Sequence, residues 1–275
     1  MLDARHPLTI RFGCELTIGC VMPTPIVTML DVHPERQADL LAPVAAEVRG
    51  SIEDVESYLD AHGNLCRRFT APAGDTTVLL DGLIRDDGLP DAADEDAGEN
   101  PVSALPPEAL YYLTGSRYCE TDMMSQRAWD LFGNLPPGRS RVQAILDYGK
   151  SQVAFDYARA SSTRTASQTL ADGTGVCRDF AHLAITFCRA LNIPARYVNG
   201  YLGDIGIPAQ PSPMDFSAWM EVWLGDRWWT FDPRNNARRI GRIVIARGRD
   251  AADVPMLASY GPHELKGFRV WTDAV

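Results

Sequence analysis

The segment TGVCRDFAHLAITFC, residues 174–188, has the pattern of a buried helix that begins at a cysteine. Counting from Cys177, apolar residues recur at positions +3, +4, +7, +8, +11 and +14, which is the spacing of one apolar helical stripe. Pro194 prevents the helix from continuing, and Asn192 stands where helices often end. We therefore predict a core helix that carries Cys177 in its first turn.

A cysteine at this position has two interpretations. The unpaired N–H groups and the positive dipole end of a helix start favour an anion, so they lower the pKa of a thiol and make it nucleophilic. On this interpretation Cys177 is a catalytic nucleophile. The alternative is that Cys177 only begins the apolar stripe, because free cysteine often packs as a small buried hydrophobe.

The composition is that of an acidic globular protein. The chain has 275 residues, a formal net charge of -10 and a pI of about 5.0. No basic patch is concentrated anywhere, so nucleic acid and anionic membrane surfaces are poor partners. Residues 1–11 lack the apolar region of a signal peptide, and no apolar run is long enough to span a membrane. We therefore expect neither nucleic acid nor a membrane as a partner.

The cysteines lack the spacing of a disulfide framework or a metal site. There are six of them, scattered along the chain. Reduced thiols in the cytoplasm fit this pattern best. No cluster of His, Cys and carboxylate residues has ligand spacing either, so the sequence predicts no metal and no cofactor.

The first third of the chain predicts a β-rich domain. Short runs of β-branched and aromatic residues are separated by Gly, Pro and Asp turns, which indicates a small β-sandwich over about residues 1–85. The predicted strands are 8–20, 26–32, 55–59, 64–70 and 76–80. An acidic, Pro-rich run then follows at 86–107, and we interpret it as a solvated loop or linker. The predicted domains are residues 1–105 and 106–275.

The second domain combines helices with a later set of strands, which is typical of the α+β class. Helical patterns occupy 122–132 and 139–157 before the Cys177 helix. Strand patterns follow at 195–202, 217–224, 227–231, 240–245 and 266–272. Gly225 and Asp226 separate two of these strands and predict a two-residue hairpin turn.

Four ordered motifs give the chain a family resemblance. They are GVCRDFAHL (175–183), IPARYV (193–198), DFSAWMEV (215–222) and RWWTFDP (227–233). Through them the chain resembles the bacterial transglutaminase-like superfamily, and its β-rich first part is similar to the N-terminal region of such proteins. The resemblance implies an N-terminal β-sandwich-like domain and a papain-like, transglutaminase-like core, in which the helix bearing the cysteine packs on an antiparallel sheet.

The resemblance also implies a Cys–His–Asp triad that attacks an amide or ester carbonyl. Cys177 takes the place of the nucleophile and Asp232 that of the orienting carboxylate. Where the family has His-Ala-Trp, this chain has Ser217-Ala218-Trp219, so Ser217 replaces the histidine. The implied function is a cysteine protease or amide hydrolase without its usual base.

The hairpin geometry tests this placement without the family. With a two-residue turn at 225–226, paired positions sum to 451, so Trp219 faces Asp232. Because side chains alternate along a strand, Ser217 and Trp219 share one face. Ser217 is then a diagonal neighbour of Asp232, about 7–8 Å away. The scaffold of the triad is thus predicted to be intact.

Other residues are candidates for stabilising the oxyanion or for replacing the histidine as the base. Gln168, just before the nucleophile turn, is a candidate oxyanion donor, with a solvated helix position as the alternative. Trp219 and its neighbouring tryptophans either line a peptide groove or pack against the Cys177 helix. His263 is the one named substitute base, and a surface histidine is the alternative. His182 points about 140° away from Cys177 around the helix and fits a structural role.

Two functions from different classes remain open at this point. The first is thiol-dependent chemistry on a peptide or protein substrate through Cys177, because a thiol depends less on a general base than a hydroxyl does. The second is a catalytically inactive scaffold that binds a peptide or protein partner in the same groove. A variant of the first would use His263 as the base.

Overall fold

The computed structural model describes residues 7–50, 52, 54–210 and 213–275. Within them the chain forms five α-helices and fourteen strands. The helices are α1 (Pro107–Leu110), α2 (Thr121–Phe132), α3 (Arg139–Gln152), α4 (Ala166–Asp172) and α5 (Cys177–Ala190). The strands are β1 (Leu8–Cys20), β2 (Thr24–Thr28), β3 (Glu47–Arg49), β4 (Glu56–Leu59), β5 (Leu65–Ala71), β6 (Gly74–Asp86), β7 (Ala154–Phe155), β8 (Thr174–Gly175), β9 (Ala195–Tyr201), β10 (Ser217–Leu224), β11 (Arg227–Phe231), β12 (Ile243–Gly248), β13 (Leu257–Ser259) and β14 (His263–Ala274).

The β-rich part consists of two antiparallel sheets, ordered β14-β1-β6-β3 and β13-β2-β5-β4. Along β1 every second side chain is fully or almost fully buried, as expected for a strand with one face on the core. These inward residues are Ile10, Phe12, Cys14, Leu16, Ile18 and Cys20. Alternation of this kind explains why the sequence predicts β1 and the neighbouring strands.

The last strands of the chain return to these first sheets. β14 pairs with β1 over almost its whole length, from Ile10 opposite Ala274 to Cys20 opposite His263. β13 pairs with β2. Both sheets are therefore assembled from the two ends of the chain, a long-range pairing that no local pattern reveals. The division at residues 105 and 106 stays a prediction.

The acidic run after β6 is largely exposed and forms neither an α-helix nor a strand before Pro107, as a loop should, but some of its carboxylates are bound. Its carboxylates reach arginines of the second half: Asp91 contacts Arg242 at 2.9 Å and Glu99 contacts Arg141 at 2.9 Å. The backbone N–H of Arg139 also donates to the carbonyl of Ala97. These contacts attach the loop to the second half of the chain, which composition alone does not show.

The second part is an antiparallel sheet, ordered β11-β10-β9-β12, with α5 packed on one face. The His182 ring of α5 lies 5.1 Å from the Tyr197 ring of β9. α5 spans the predicted segment, and Asn192 beyond its end has a φ of 65°, the left-handed conformation that stops a helix. The α+β, papain-like class expected from the sequence is confirmed.

The hairpin register is also confirmed. Met220 pairs with Phe231 and Leu224 with Arg227, so paired positions sum to 451 as predicted. Gly225 has a φ of 65° in the turn, where a side chain would be strained. Within the described residues, none of the helices combines the length and apolar character that a membrane-crossing segment needs.

Candidate active site

The start of α5 is fixed by a buried carboxylate. The side chain of Asp179 accepts a hydrogen bond from the backbone N–H of Val176 at 2.9 Å. Asp179 is fully buried and is compensated by Arg164 and Arg178, each 3.3 Å away. Because this cap lies beside Cys177, it holds the backbone of the candidate nucleophile in one position.

Cys177 opens onto a cleft of about 300 Å³. All six cysteines lie in the described part of the chain; Cys177 is partly exposed and the other five are buried. The cleft is bounded by α5, β9 and β10, by residues 251–256, and by Phe268 of β14. Apolar side chains form much of its wall, among them Val254, Met256 and Phe268. The thiol is therefore reachable by a ligand that brings apolar groups.

The thiol is not activated as the helix position suggested. Burial raises the pKa of Cys177 to about 11, although the backbone N–H groups of Ala218 and Arg178 act to lower it. The nearby charge of Asp215 raises this pKa further, and that of Arg234 lowers it. Desolvation by the surrounding protein outweighs the helix start, so the expectation of a lowered pKa was wrong.

Asp232 is bound to partners other than a histidine. Its carboxylate accepts hydrogen bonds from the backbone and side-chain N–H groups of Asn235, both at 2.8 Å, and from Arg242 at 2.7 Å. Burial acts to raise the pKa of Asp232, but Arg242 and Asn235 outweigh burial and lower it. Asp232 is not among the residues that line the Cys177 cleft. The structure therefore gives this carboxylate a guanidinium where the resemblance implies an imidazole.

Ser217 does lie in the cleft with Cys177. It is buried at the start of β10, where it pairs with Gly200 of β9. A hydroxyl cannot act as a base near neutral pH. The structure thus brings the residue at the histidine position to the thiol without restoring the chemistry of a histidine.

Trp219 lies elsewhere. It is fully buried in a small cluster with Val198 and Val244, and the Arg242 guanidinium lies 4.8 Å from its ring centroid. It lines a separate cavity of about 590 Å³, not the Cys177 cleft. Trp219 therefore packs against Arg242, the residue that binds Asp232.

Neither of the remaining candidates reaches the thiol. His263 is exposed at the start of β14, and five strand residues, about 16 Å, separate it from Phe268 at the cleft. Gln168 caps α4 by accepting a hydrogen bond from the backbone N–H of Thr165 at 3.0 Å. None of the four histidines in the described part of the chain lines the cleft.

His182 has the structural role expected for it. Its ring stacks on Tyr118 at 5.0 Å, and its Nε2 accepts a hydrogen bond from the backbone N–H of Ala251 at 3.1 Å. Burial lowers the pKa of His182 well below its ordinary value, so the ring is neutral at physiological pH. In the described ranges, no group of three or more His, Cys, Asp or Glu side chains is arranged to hold a metal ion.

Asp215 is the residue that sequence reasoning missed. It lines the cleft with Cys177 and Ser217, and burial raises its pKa. Its carboxylate oxygen accepts a hydrogen bond from the backbone N–H of Phe216 at 2.7 Å. Asp215 begins the DFSAWMEV motif, so its proximity to Ser217 in sequence was the available signal. The choice of Asp232 as the triad carboxylate left no role for it.

Comparisons with known proteins agree with this fold. Residues 126–233 match the family model described as "Transglutaminase-like superfamily". A crystal structure from Cytophaga hutchinsonii, of a protein named "Putative Cysteine Protease", is 27% identical and has a TM-score of 0.84. That match covers 98% of this chain and 91% of the other.

Two curated relatives are similar over part of their length. An uncharacterized protein of Mycobacterium tuberculosis is 36% identical over 134 residues, which are 44% of this chain and 42% of the relative. An uncharacterized protein of Mycobacterium leprae is 30% identical over 122 residues, 43% of each chain. The chain thus spans less than half the length of these relatives. The four motifs, the fold and the family match together place residues 126–233 in the transglutaminase-like superfamily.

Proposed function

We propose that this protein is a cysteine hydrolase or acyl transferase that acts on amide or ester carbonyls of peptide-like substrates. One observation carries the proposal: Cys177 begins α5 and is the partly exposed cysteine, with its sulfur at a cleft large enough for a side chain and its backbone. The thiol attacks the carbonyl carbon to give an acyl-enzyme, which water or an amine then resolves.

The backbone supplies the donors for the developing oxyanion. The N–H groups of Ala218 and Arg178 both act on the sulfur of Cys177. Fixed N–H donors beside the attacked carbonyl stabilise its negative charge in the transition state. We assign them this role, together with the N–H of Cys177 at the helix start. Ser217 contributes a hydroxyl that orients substrate or water in the cleft.

The walls of the cleft favour a peptide or protein substrate with an apolar group. Val254, Met256 and Phe268 offer it an apolar surface, and Asn199 offers hydrogen bonds. A pocket with an apolar wall and a few polar groups is typical of sites for peptide-like ligands. We do not propose nucleic acid as a substrate, because a net charge of -10 repels its phosphates.

Turnover should be slow. A thiol with a pKa of about 11 is about 10⁻⁴ thiolate at pH 7. None of the histidines in the described ranges lines the cleft, and the loss of a histidine base costs a further factor of about 10²–10⁴. Activated esters, which need less help from a base, should therefore react measurably while plain peptides react very slowly.

A second candidate function is a catalytically inactive scaffold that binds a peptide or protein partner in the same cleft. The ion pair between Asp232 and Arg242 favours it, because the orienting carboxylate is bound to a guanidinium. With this pairing the cleft can still bind a ligand, but Asp232 does not orient a catalytic base.

Acylation by a p-nitrophenyl ester of an acetylated hydrophobic amino acid separates the two functions. The enzyme proposal predicts nitrophenolate release from wild type at least about 10-fold faster than from Cys177→Ala, with an acyl adduct on Cys177 in the mass spectrum. Equal rates for the two proteins would contradict it. Activity gained only by Ser217→His would then support an inactive scaffold.

A further inference from the structure

Asp215 lies where two cavities meet. Together with Phe216 and Ser217 it lines the Cys177 cleft, and the same three residues line a smaller cavity of about 40 Å³. Tyr157 and Arg234 line that smaller cavity as well. The segment that carries Asp215 therefore forms the boundary between the thiol and a polar pocket.

Two other carboxylates near α5 and β11 are already neutralised. Asp179 is paired with Arg164 and Arg178, and Asp232 is paired with Arg242. Asp215 differs from both: among the described residues, no basic nitrogen lies within 4.0 Å of its carboxylate. Its hydrogen bond comes from the backbone N–H of the next residue. It is the carboxylate in the cleft that is still able to accept a proton.

We infer that Asp215 is the general base for Cys177, in the role that the resemblance gives to the histidine. This inference rests on the proposed function, because it names the proton acceptor of the same reaction. Half-burial fits the role, since removal of water raises the pKa of Asp215 and makes its carboxylate a better base. Tyr157 lines the smaller cavity together with Asp215.

The reaction balances without a co-reactant other than water or an amine. The S–H proton of Cys177 passes to the Asp215 carboxylate, directly or through one water, as the sulfur bonds to the carbonyl carbon. The C=O electron pair moves to oxygen, where N–H groups hold it, and it returns as the leaving group departs. Protonated Asp215 then gives its proton to that leaving group, and the cycle repeats with water as the nucleophile.

The inference predicts two effects of opposite sign for Asp215→Asn. As a negative charge, Asp215 raises the pKa of Cys177, so its neutralisation should increase the thiolate fraction. Alkylation of Cys177 by iodoacetamide at pH 7 should therefore become severalfold faster. As the base, Asp215 is needed for acylation, so ester acylation should fall at least about 10-fold, within the range of about 10²–10⁴ known for general bases. If Asp215 affected Cys177 only through its negative charge, Asp215→Asn would change both rates in the same direction.

Alkylation and acylation are measured on the same proteins by mass spectrometry of the Cys177 peptide and by nitrophenolate release. Asn keeps the acceptor for the N–H of Phe216, so the variant should fold, and its unfolding midpoint is measured as a check. Asp204→Asn is the matched control, because Asp204 lines the smaller cavity but not the Cys177 cleft. It should leave both rates unchanged. Asp215→Glu, which keeps a carboxylate, should retain more acylation than Asp215→Asn.

The outcomes separate the two proposals. Faster alkylation with slower acylation in Asp215→Asn supports the role of Asp215. Acylation that is unchanged or faster in Asp215→Asn, with a normal wild-type rate, overturns that role alone. A wild-type acylation rate equal to that of Cys177→Ala overturns the proposed function, and the role of Asp215 with it.

Discussion

At the scale of single residues, Asp232 is bound by Arg242 and not by a histidine. Arg242 lies between Asp232 and Asp91, 2.7 Å from the first and 2.9 Å from the second, and its guanidinium stacks above Trp219. The buried Asp232 and the largely buried Asp91 both bind this one guanidinium. Asp232 therefore belongs to a structural ion-pair network in this protein.

Replacement of Arg242 by Met should be strongly destabilising. It leaves the buried carboxylate of Asp232 and the largely buried one of Asp91 without their cation, and breaking a buried pair in this way costs about 3–5 kcal/mol. Urea unfolding at pH 7 measures the loss. Arg49→Met is the control, because Arg49 pairs with Glu47 on the surface and its loss should not move the midpoint. Equal midpoints for wild type and Arg242→Met would refute the network.

The reactivity of Cys177 should rise at unusually high pH. A thiol is neutral below its pKa, and burial raises the pKa of Cys177 to about 11, so the thiolate appears only as the pH rises toward that value. The iodoacetamide rate at Cys177, followed from pH 6 to pH 10.5, should still be increasing at the upper end. A plateau reached below pH 8 would show a thiol activated by the helix start instead.

At the scale of elements, the position of Cys177 depends on how α5 begins. Gly175 packs directly against Asp179: a Cβ on Gly175 would lie 2.7 Å from the Cβ of Asp179 and 2.9 Å from its carboxylate. Both distances are shorter than the contacts that Cβ atoms make in proteins. The glycine is therefore required because the capping carboxylate approaches the backbone, and the N-terminus of the helix is built around this contact.

Gly175→Ala should consequently displace Asp179 and loosen the first turn of α5. We expect a loss of about 1–3 kcal/mol, typical of overpacking at a buried position, together with altered alkylation of Cys177. Gly149→Ala is the contrast. Gly149 lies within α3, and the nearest atom to a new Cβ there would be 3.9 Å away, an ordinary van der Waals contact. The change should therefore stabilise the protein by about 0.5–1 kcal/mol. Thermal unfolding that ranks the two variants in the opposite order would contradict the structure.

At the scale of the whole molecule, the two ends of the chain form one pair of sheets, and the half that carries Cys177 lies against them. The ring of Tyr201 in β9 packs at a tilt against that of Phe12 in β1, with 5.2 Å between the centroids, and its hydroxyl donates to the carbonyl of Leu30 at 3.0 Å. β14 supplies both a partner for β1 and Phe268 at the cleft. The β-rich part thus contributes a wall of the candidate active site.

Removal of residues 263–275 should therefore disrupt more than the C-terminus. It exposes the long edge of β1 and removes Phe268 from the cleft, so the truncated chain should lose its cooperative unfolding transition and aggregate. Size-exclusion chromatography and circular dichroism measure the change. As a control, residues 1–105 co-expressed with residues 106–275 should assemble through β1 and β14, whereas 1–105 alone should not fold. A truncated chain that unfolds like the full one would contradict this account.

The sequence by itself determined the helix at Cys177, the hairpin register and the α+β class. These features follow from helical periodicity, a two-residue turn and strand alternation, which depend only on residues close together in the chain. Only the tertiary structure decided that Arg242 binds Asp232 and Asp91, the latter 151 positions away, and that β14 completes the first sheet. It also decided that Asp215 shares the cleft with Cys177 and that burial raises the thiol pKa. Ion pairing and desolvation depend on which distant residues surround a group, and no local pattern in the chain records those neighbours.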